Sequence, residues 1–541
     1  MKNRWRFLNQ RLCGLCGLAL MMTVACAPMQ DFDAGEVATF SQVRATEVFT
    51  AGFAGISEKY IDQVSVEDIA IEGLRGLGAI DPDLTVIRTF ADSNQPTAKG
   101  GGKKAQTEIV LHAQGEEVLR KPAPPSDDVN GWAALTTEMS VAARRASSEL
   151  QSAKMETVYE AVFDGILSNL DIFSRYSGAE EAQVNRNKRD GFGGIGIRYR
   201  TRNGYPVLSE VLPKTPAEKA GLLKGDRLTH VNSDGLKGLN RKKVSALLRG
   251  PTHTRLQLTF IRPGNPEPRT IAMKRAHIFP VTITEKTSDG IVTLTLTSFN
   301  QDTARSLSEK LEKARDRLGG AMKGLVLDLR GNPGGLLKQS VNVADLLLTQ
   351  GQIVSTLGRH ADSLHQYEAG GRDLAFGLPV AVLVDGKSAS AAEIVAAALQ
   401  DRNRAVVIGT ASFGKGSVQT VLRLPNDGEI TLTWSRLVAP SGYMFHGLGI
   451  RPSICTSGLQ GNAKGIIDRV MNDREKIEDT FVTWRKAALE DKSKRAQLRN
   501  SCPSQRRRKD LELKIAKHLI SQPALFTRAL DLTAATHEAR Y

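Results

Sequence analysis

Residues 379–409, PVAVLVDGKSASAAEIVAAALQDRNRAVVIG, contain two apolar runs on either side of an alanine-rich segment. The runs 379–385 and 405–409 lack polar alternation, which predicts strands covered on both faces. The segment 390–402 between them predicts a helix. Two strands joined by such a crossover helix are parallel, and we expect them to lie close together. This stretch therefore predicts an α/β core.

The same alternation of strands and helices extends in both directions. Strand patterns lie at 290–299, 324–330 and 430–438, and helical patterns lie at 302–319 and about 336–349. Asp302 or Thr303 is the expected N-cap of the first of these helices. We assign residues 278–456 to the α/β core.

Upstream, residues 191–277 predict a smaller β-rich domain. Its β-like runs lie at 195–200, 205–212, 227–232, 255–262 and 269–275. One helix is predicted at 241–250, and a short helix at 215–221 has Thr215 as N-cap and Pro216 in its first turn.

The N-terminal region, which we assign to 26–190, is predicted to be helical. Residues 36–90 and 131–170 show the apolar spacing of helices. Between them, 95–128 has the glycine and proline content of a linker, around one predicted strand at 107–112.

A basic, helical C-terminal extension covers 457–541 and supplies part of the formal net charge of +15. For this extension, packing against the protein's own core is favoured over dimer contacts. A positive charge of this size can mark a nucleic-acid-binding protein. The sequence has neither zinc-finger spacing nor an aromatic-rich basic strand, so a solvated basic surface is favoured and no nucleic-acid partner is expected.

The extreme N-terminus has the pattern of a secretory signal peptide over residues 1–25. It carries four basic residues, Lys2, Arg4, Arg6 and Arg11. The apolar stretch 12–25 that follows is too short to span a bilayer. TVAC (23–26) is similar to a lipoprotein signal, with Thr23 where leucine is usual, so Cys26 is a candidate for lipidation. Ordinary cleavage near Ala25 or Ala27 is the alternative.

Cysteine usage agrees with export. Cys13 and Cys16 would leave with the signal peptide, and lipidation of Cys26 would leave Cys455 and Cys502 as one pair that an oxidising compartment allows to form a disulfide. Outside the predicted signal peptide the chain has no CxxC motif and no Cys/His cluster, so we expect no metal and no other cofactor.

A hydroxyl group marks the point where strand 379–385 passes into the following helix. Ser390 would stand at the helix N-terminus, where backbone N–H groups are unpaired and the local field is positive. The N–H of Ala391 would then stabilise an oxyanion as Ser390 attacks a carbonyl carbon. A plain N-cap at Ser388 or Ser390 accounts for the same pattern without chemistry.

A serine nucleophile needs a base, and the nine histidines offer no convincing partner. The G-x-S-x-G elbow of α/β-hydrolases is also absent. A lysine can replace histidine when burial lowers its pKa enough to leave the amine neutral. Lys415 lies in SFGKGSVQT (412–420), just past strand 405–409, so parallel strands would bring it near Ser390. Lys387 precedes the helix and is expected to point to solvent.

Two glycine-rich segments each allow more than one interpretation. GTASFGKGS (409–417) is close to a phosphate-binding loop, but Gly416 stands where a hydroxyl is needed and no Walker-B aspartate follows, so nucleotide binding is not favoured. DLRGNPGGLL (328–337) follows a buried strand, and its glycine pair allows N–H groups to point into a site. A plain strand-to-helix turn fits that segment equally well.

Together, DLRGNPGG, SASAAEI and FGKGSVQ resemble the three motifs of the carboxyl-terminal processing (tail-specific) proteases, in the family's order. The spacing of 25 residues between Ser390 and Lys415 is that of the family's dyad. The resemblance implies that Gln419 holds and tunes Lys415. It also implies an oxyanion hole made by the N–H groups of Ala391 and Gly335, with Gly334 as the alternative to Gly335. Lys387 departs from the glycine usual at the start of the serine motif.

The resemblance extends to segments on both sides of these motifs. GFGGIGIRY (191–199) resembles the carboxylate-binding loop of a PDZ domain, in which the N–H groups of Gly194, Ile195 and Gly196 would capture a chain terminus. NLDIFSRY (169–176) resembles the family's LDPHSxY segment, with Ile172 and Phe173 in place of Pro-His. HGLGIRPSI (446–454) resembles the segment that closes the core.

The sequence therefore predicts a multidomain α/β protein: a serine-protease core, a PDZ-like domain and helical terminal regions. The expected function is that of an exported endopeptidase, which cleaves proteins with free C-termini through an acyl-enzyme. We expect it in the cell envelope or periplasm, attached to a membrane by a lipid anchor. The family also allows an adaptor protein and a homo-oligomer. A catalytically silent PDZ scaffold and a serine–lysine hydrolase of small esters are the alternatives.

Overall fold

The computed structural model describes residues 41–90, 107–505 and 510–533. The predicted signal peptide, Cys26 and the first part of the predicted linker lie outside these described residues. None of the helices within the described ranges combines the length and apolar character that a membrane crossing requires.

The N-terminal region combines helices with a small sheet. Its elements are α1 (Gln42–Lys59), α2 (Val66–Arg75), β1 (Leu84–Phe90), β2 (Thr107–Ala113), β3 (Glu116–Pro122), α3 (Val129–Ala146), α4 (Ser148–Ser152), α5 (Met155–Leu167), β4 (Arg175–Ser177) and α6 (Ala179–Asp190). Strands β1, β2 and β3 form an antiparallel sheet. Phe49, Trp132 and Phe163 share their apolar core with Ile430 and Leu432, so this region packs directly on the α/β core.

Two segments here differ from the sequence prediction. Residues 84–90, predicted as helix, form β1, because Leu84 and Val86 bury one face of an extended segment. Residues 107–122, predicted as a linker with one strand, form a hairpin of β2 and β3. Its two-residue turn, Gln114 and Gly115, has positive φ at both positions, as a tight hairpin requires.

The next domain contains the strands and helices predicted for 191–277. Its elements are β5 (Phe192–Gly194), β6 (Ile197–Arg202), β7 (Tyr205–Val211), α7 (Pro216–Lys219), β8 (Arg227–Val231), β9 (Asp234–Gly235), α8 (Arg241–Leu248), β10 (Arg255–Arg262), β11 (Asn265–Lys274) and β12 (Ala276–Ile278). The main strand order is β11-β10-β8-β7-β6, so β6 lies at a sheet edge. Strand β5 pairs with β12, which leads into the α/β core.

The α/β core contains two sheets. Its elements are β13 (Ile283–Ser288), β14 (Ile291–Leu296), α9 (Thr303–Leu318), β15 (Gly324–Asp328), α10 (Leu337–Asp345), β16 (Gly351–Leu357), β17 (His365–Ala369), β18 (Val380–Val384), α11 (Ala391–Asp401), β19 (Ala405–Gly409), β20 (Ser417–Arg423), β21 (Glu429–Val438) and β22 (Ile454–Cys455). The central sheet has the order β13-β14-β15-β18-β19-β22, and β18 and β19 are parallel neighbours, as predicted. The second sheet contains β17, β16, β21 and β20, with β4 attached to β21.

Both faces of the central sheet are covered. The C-terminal extension forms α12 (Ala463–Asn472), α13 (Arg474–Arg485), α14 (Lys492–Asn500), α15 (Leu511–Ile520) and α16 (Pro523–Asp531). Val380 and Val382 belong to the apolar cluster that contains α9, α10 and α11. Ala381 and Leu383 belong instead to a cluster formed with α12, α15 and α16. The extension therefore packs against the protein's own core, which explains why these strands are apolar throughout.

Candidate active site

The loop between β18 and α11 carries Ser390. Asp385, at the start of this loop, accepts hydrogen bonds from the N–H groups of Gly331 and Lys387. Ser388 is buried, and its hydroxyl donates to a backbone carbonyl just after β15 while accepting from the N–H of Asp385. Ser390 is half-buried and has φ of 53°, a region that residues with a Cβ seldom adopt. The surrounding hydrogen bonds fix a strained serine at the helix N-terminus.

The carboxylate of Glu393 joins this loop to the loop that carries Lys415. Oε2 accepts from the N–H of Ser390 at 2.7 Å and from the N–H of Lys415 at 2.9 Å. Oε1 accepts from the N–H of Gly414 at 2.7 Å and from the hydroxyl of Ser412. Burial raises the pKa of Glu393, against the effect of these donors. The glutamate therefore fixes the backbone of the two residues predicted as nucleophile and base.

The side chain of Lys415 lies in a mostly buried, aromatic environment. Its Nζ is 4.8 Å from the centre of the Phe173 ring. Burial lowers the pKa of Lys415, and the guanidinium of Arg175 lowers it further, whereas the carboxylates of Asp171 and Glu393 act in the opposite direction. The net direction is the one that a lysine base requires.

Gln419 is connected to the same environment through a short chain of polar groups. Its Nε2 donates to the hydroxyl groups of Ser417 at 2.9 Å and Thr433 at 3.3 Å. Thr433 in turn donates to Asp171 at 3.1 Å. Within the described residues, no hydrogen bond joins Gln419 to the amine of Lys415. The structure thus places Gln419 in a polar network that includes a carboxylate acting on Lys415.

The glycine turn after β15 lies directly against Ser390. A Cβ on Gly334 would be 2.9 Å from the Cβ of Ser390, so a larger residue at this position is excluded. The N–H of Gly334 donates to the side chain of Asn332. Among the described residues, the N–H groups of Gly335 and Ala391 have no protein acceptor. Of these two glycines, Gly335 is therefore the one whose N–H is not already used within the described protein.

The segment 499–505 holds both loops from the outside. Arg499 and the hydroxyl of Ser504 both donate to the carbonyl oxygen of Ser412, at 3.2 Å each. The carbonyl oxygen of Gln505 accepts from the N–H of Gly386 at 2.9 Å, in the loop before Ser390. The C-terminal extension therefore contacts the loop of the nucleophile as well as that of the lysine.

A disulfide anchors this segment to the central sheet. Cys502, just after α14, is joined to Cys455 on the edge strand β22. Cys502 is fully buried. The disulfide that the cysteine usage left possible is thus present, and it holds the segment where it meets the two loops.

The predicted carboxylate-binding loop lies at the end of a groove of about 230 Å³ between β6 and α8. Gly194 belongs to β5 and pairs with Ala276. In the described part of the chain, the N–H groups of Ile195 and Gly196 donate to no protein acceptor. Gly196 has φ of 83°, which a residue without a side chain adopts readily. The loop thus offers two unpaired N–H groups at the groove.

Several residues of this site were not identified from the sequence. Glu393 follows Ser390 by three positions, and this S-x-x-E pattern is the signature of a capping box. Asp171 and Phe173 lie in the quoted segment 169–176, but nothing in that segment indicates its distance to Lys415. Arg499 carries no local signal, because its role depends on the packing of a distant helix.

Comparisons with known proteins agree with this architecture. The model of Peptidase family S41 matches residues 290–456, and that of the PDZ domain matches residues 207–262. The carboxy-terminal-processing protease of Bartonella bacilliformis is 38% identical over 301 residues, covering 55% of this chain and 69% of the relative. A Staphylococcus aureus protein named "Probable CtpA-like serine protease" is 31% identical over 299 residues, covering 54% of this chain and 59% of the relative.

Solved structures with detectable similarity include two of related name. The photosystem II D1 C-terminal processing protease is 26% identical, with a TM-score of 0.33, covering 57% of this chain and 87% of that chain. The PDZ domain of a carboxy-terminal protease from Vibrio cholerae is 20% identical, with a TM-score of 0.15, covering 16% of this chain and 96% of that chain.

The matched regions define a serine peptidase core of the S41 type combined with a PDZ domain. The chain belongs to the carboxy-terminal-processing protease family.

Proposed function

We propose that this protein is an endopeptidase in which Ser390 is the nucleophile and Lys415 its general base. The observation that carries the proposal is the shared carboxylate of Glu393, which accepts from the N–H groups of both residues. The lowered pKa of Lys415 supports the assignment, because a protonated amine cannot remove a proton from serine.

The proposed reaction uses these groups in turn. The neutral amine of Lys415 takes the proton of the Ser390 hydroxyl as Oγ attacks the carbonyl carbon of the peptide bond. The N–H groups of Ala391 and Gly335 stabilise the oxyanion of the tetrahedral intermediate. The leaving amine receives the proton from Lys415. The neutral amine of Lys415 then takes a proton from a water that attacks the acyl carbon, and returns it to Oγ of Ser390 as the ester bond breaks.

Gln419 is proposed to position Lys415 rather than to react. Because its Nε2 is bound to Ser417 and Thr433, its amide oxygen is the atom that would accept from the amine. The amine of Lys415 lies over the Phe173 ring in this structure. We propose that it turns toward the amide oxygen of Gln419. We expect the approach of substrate to the site to produce that turn.

Substrates are proposed to be proteins with free C-termini, bound at the groove beside Ile195 and Gly196. The unpaired N–H groups of this loop suit a terminal carboxylate, and the edge strand β6 suits addition of a peptide strand. The experiment compares kcat/KM for one peptide with a free or an amidated C-terminus, with Ser390→Ala as the blank. A clear loss of kcat/KM on amidation supports the proposal. Equal kcat/KM values would show that this domain acts as a brace or lid and does not recognise C-termini.

Export to the cell envelope is proposed from the N-terminal pattern and from the disulfide. Disulfides persist in oxidising compartments, and Cys455–Cys502 is one. Lipidation at Cys26 would anchor the mature protein to a membrane. Membrane fractions of cells producing the Cys26→Ser variant test the anchor: the variant should become soluble, and unchanged membrane association would refute lipidation.

A catalytically silent PDZ scaffold is the competing function. Intact serine and lysine residues at the proposed site argue against it. A scaffold would bind peptides without turnover, so product formation that disappears in Ser390→Ala separates the two functions.

A further inference from the structure

The groove beside the carboxylate-binding loop has one side formed by an edge strand. Strand β6 ends the order β11-β10-β8-β7-β6, and helix α8 forms the opposite side. A peptide that adds to β6 extends the sheet through main-chain hydrogen bonds. Its side chains then alternate between the groove and the outer face of the sheet. This inference rests on the proposed binding of chain termini.

The inner wall of the groove is apolar at the end that would receive the terminal residue. Its apolar lining there includes Phe192, Ile195, Leu212, Leu248 and Ile278. The guanidinium of Arg249 also lines the groove and lies over the Phe192 ring, 4.0 Å from its centre. Further along, the hydroxyl of Tyr199 bonds to Ser245 at 2.9 Å, and Arg241 also lines the groove. The terminal side chain would therefore meet an apolar surface, and a groove-facing side chain upstream of it would meet polar groups and an arginine.

The outer face of β6 is basic along its length. Arg198, Arg200 and Arg202 alternate with the partly buried Ile197 and Tyr199, and all three arginines are exposed. Arg198 is paired with Glu210 on β7 at 3.1 Å. Within the described chain, Arg200, Arg202 and Arg241 take part in no ion pair. Outward-facing side chains of a peptide added to β6 would lie beside Arg200 and Arg202.

We propose that the groove selects chain termini in which an apolar last residue follows one or more acidic residues. Opposite charges on neighbouring strands of one face attract each other, and like charges repel. Unpaired arginines on both sides of the bound strand, Arg200 outside and Arg241 in the groove, therefore favour glutamate or aspartate upstream of the terminus. They disfavour lysine or arginine at the same positions.

The test measures binding to the full-length Ser390→Ala protein by fluorescence anisotropy, so that cleavage does not interfere. The peptides end in valine and carry glutamate, serine or lysine at the preceding positions, each with a free or an amidated C-terminus. At about threefold for each of the two acid–arginine pairs, the glutamate peptide should bind roughly tenfold more tightly than the serine peptide. The lysine peptide should bind more weakly than the serine peptide, because like charges repel. The difference should shrink in high salt because these charges are exposed.

Charge-reversed variants identify the arginines responsible. Arg200→Glu combined with Arg241→Glu should reverse the preference to the lysine peptide. Arg269→Glu, on β11 at the far edge of the same sheet, makes the same kind of charge change away from the groove and should leave the preference intact.

The outcomes separate this inference from the proposed function. Equal binding of free and amidated peptides would refute C-terminus recognition itself. Preference for free termini with no difference between glutamate, serine and lysine would refute the acidic selectivity alone. Binding to anionic lipid vesicles that is lost in the double variant, without a peptide preference, would assign the arginines to a membrane surface and also overturn the proposal.

Discussion

Ser390 and Lys415 are held by one carboxylate oxygen: Oε2 of Glu393 accepts from the N–H of Ser390 at 2.7 Å and from the N–H of Lys415 at 2.9 Å. These residues lie in loops that follow two different strands, β18 and β19. By binding both loops, the glutamate fixes the turn that carries the Ser390 hydroxyl relative to the turn that carries the Lys415 amine.

Replacing Glu393 should separate the two turns. In Glu393→Gln, an amide NH₂ faces backbone N–H donors, so at least one donor loses its acceptor. We expect a loss of about 2–4 kcal/mol in the free energy of unfolding and a fall in kcat of at least about tenfold. Glu429→Gln is the matched control, because Glu429 is also buried but pairs with Arg186 and Arg189. It should lose stability and keep kcat, and equal losses of kcat in both variants would refute the positioning role.

The two neighbouring serines should respond differently to substitution. Ser390→Ala should abolish cleavage and leave the unfolding midpoint nearly unchanged. Ser388→Ala should retain cleavage and lose about 2 kcal/mol of stability, because its hydroxyl makes two buried hydrogen bonds. Denaturant unfolding and initial rates on the same samples measure both effects. Normal turnover by Ser390→Ala would show that the nucleophile is another residue.

Lys415 should act as a base whose pKa is lowered by burial. Lys415→Ala and Lys415→Arg should both be inactive, since guanidinium does not lose its proton. In the active protein, kcat/KM should rise with pH and level off below the ~10.4 of free lysine. A rate that falls steadily from pH 6 to 9, in protein that remains folded, would exclude a lysine base.

The same pKa difference should affect stability. Because the folded state holds the proton of Lys415 less tightly than the unfolded state, the contribution of this residue to stability is lowest at low pH and rises between the folded and unfolded pKa values. Lys415→Met should therefore be at least as stable as the parent protein below that window. A large loss of stability at neutral pH would show that the amine is a structural group.

The disulfide should support catalysis through the segment 499–505. Cys455→Ala combined with Cys502→Ala should cost about 2–4 kcal/mol of stability and lower kcat, while peptide binding at the β6 groove stays unchanged. Hydrogen exchange of the loops at 385–389 and 410–414 should increase, because Gln505 and Arg499 would no longer be held against them. If kcat and the hydrogen exchange of these loops are unchanged, the disulfide contributes only to the stability of the fold.

The sequence predicted the central strands because their signal is local. Residues 379–385 and 405–409 form two apolar runs. Because a helix was predicted between them, the two strands were expected to be parallel. The C-terminal helices cover one face of the central sheet. The sequence predicted only that these segments are helical and pack on the core. Which face they cover depends on packing over long sequence distances, such as the apolar cluster that contains Ile515 and Leu519 together with Val406 and Ile408.

The sequence indicated only those parts of the candidate site that lie in recognisable motifs. Ser390, Lys415 and the glycine turn were located from their positions after strands, and the structure brings their loops together. The surroundings of Lys415 were not predicted, because Asp171, Phe173 and Arg175 come from the N-terminal region more than 200 residues away along the chain. Gln419 was expected to hold Lys415, and its observed contacts with Ser417 and Thr433 leave that role as a proposal.

The most direct test of the Ser390–Lys415 assignment is covalent labelling by a fluorophosphonate probe, read by intact mass and peptide mapping. We predict a single adduct on Ser390, together with loss of peptide cleavage, and no adduct in the folded Lys415→Ala variant. Cleavage that survives full labelling of Ser390, or an active protein whose adduct lies on a different residue, would contradict the account.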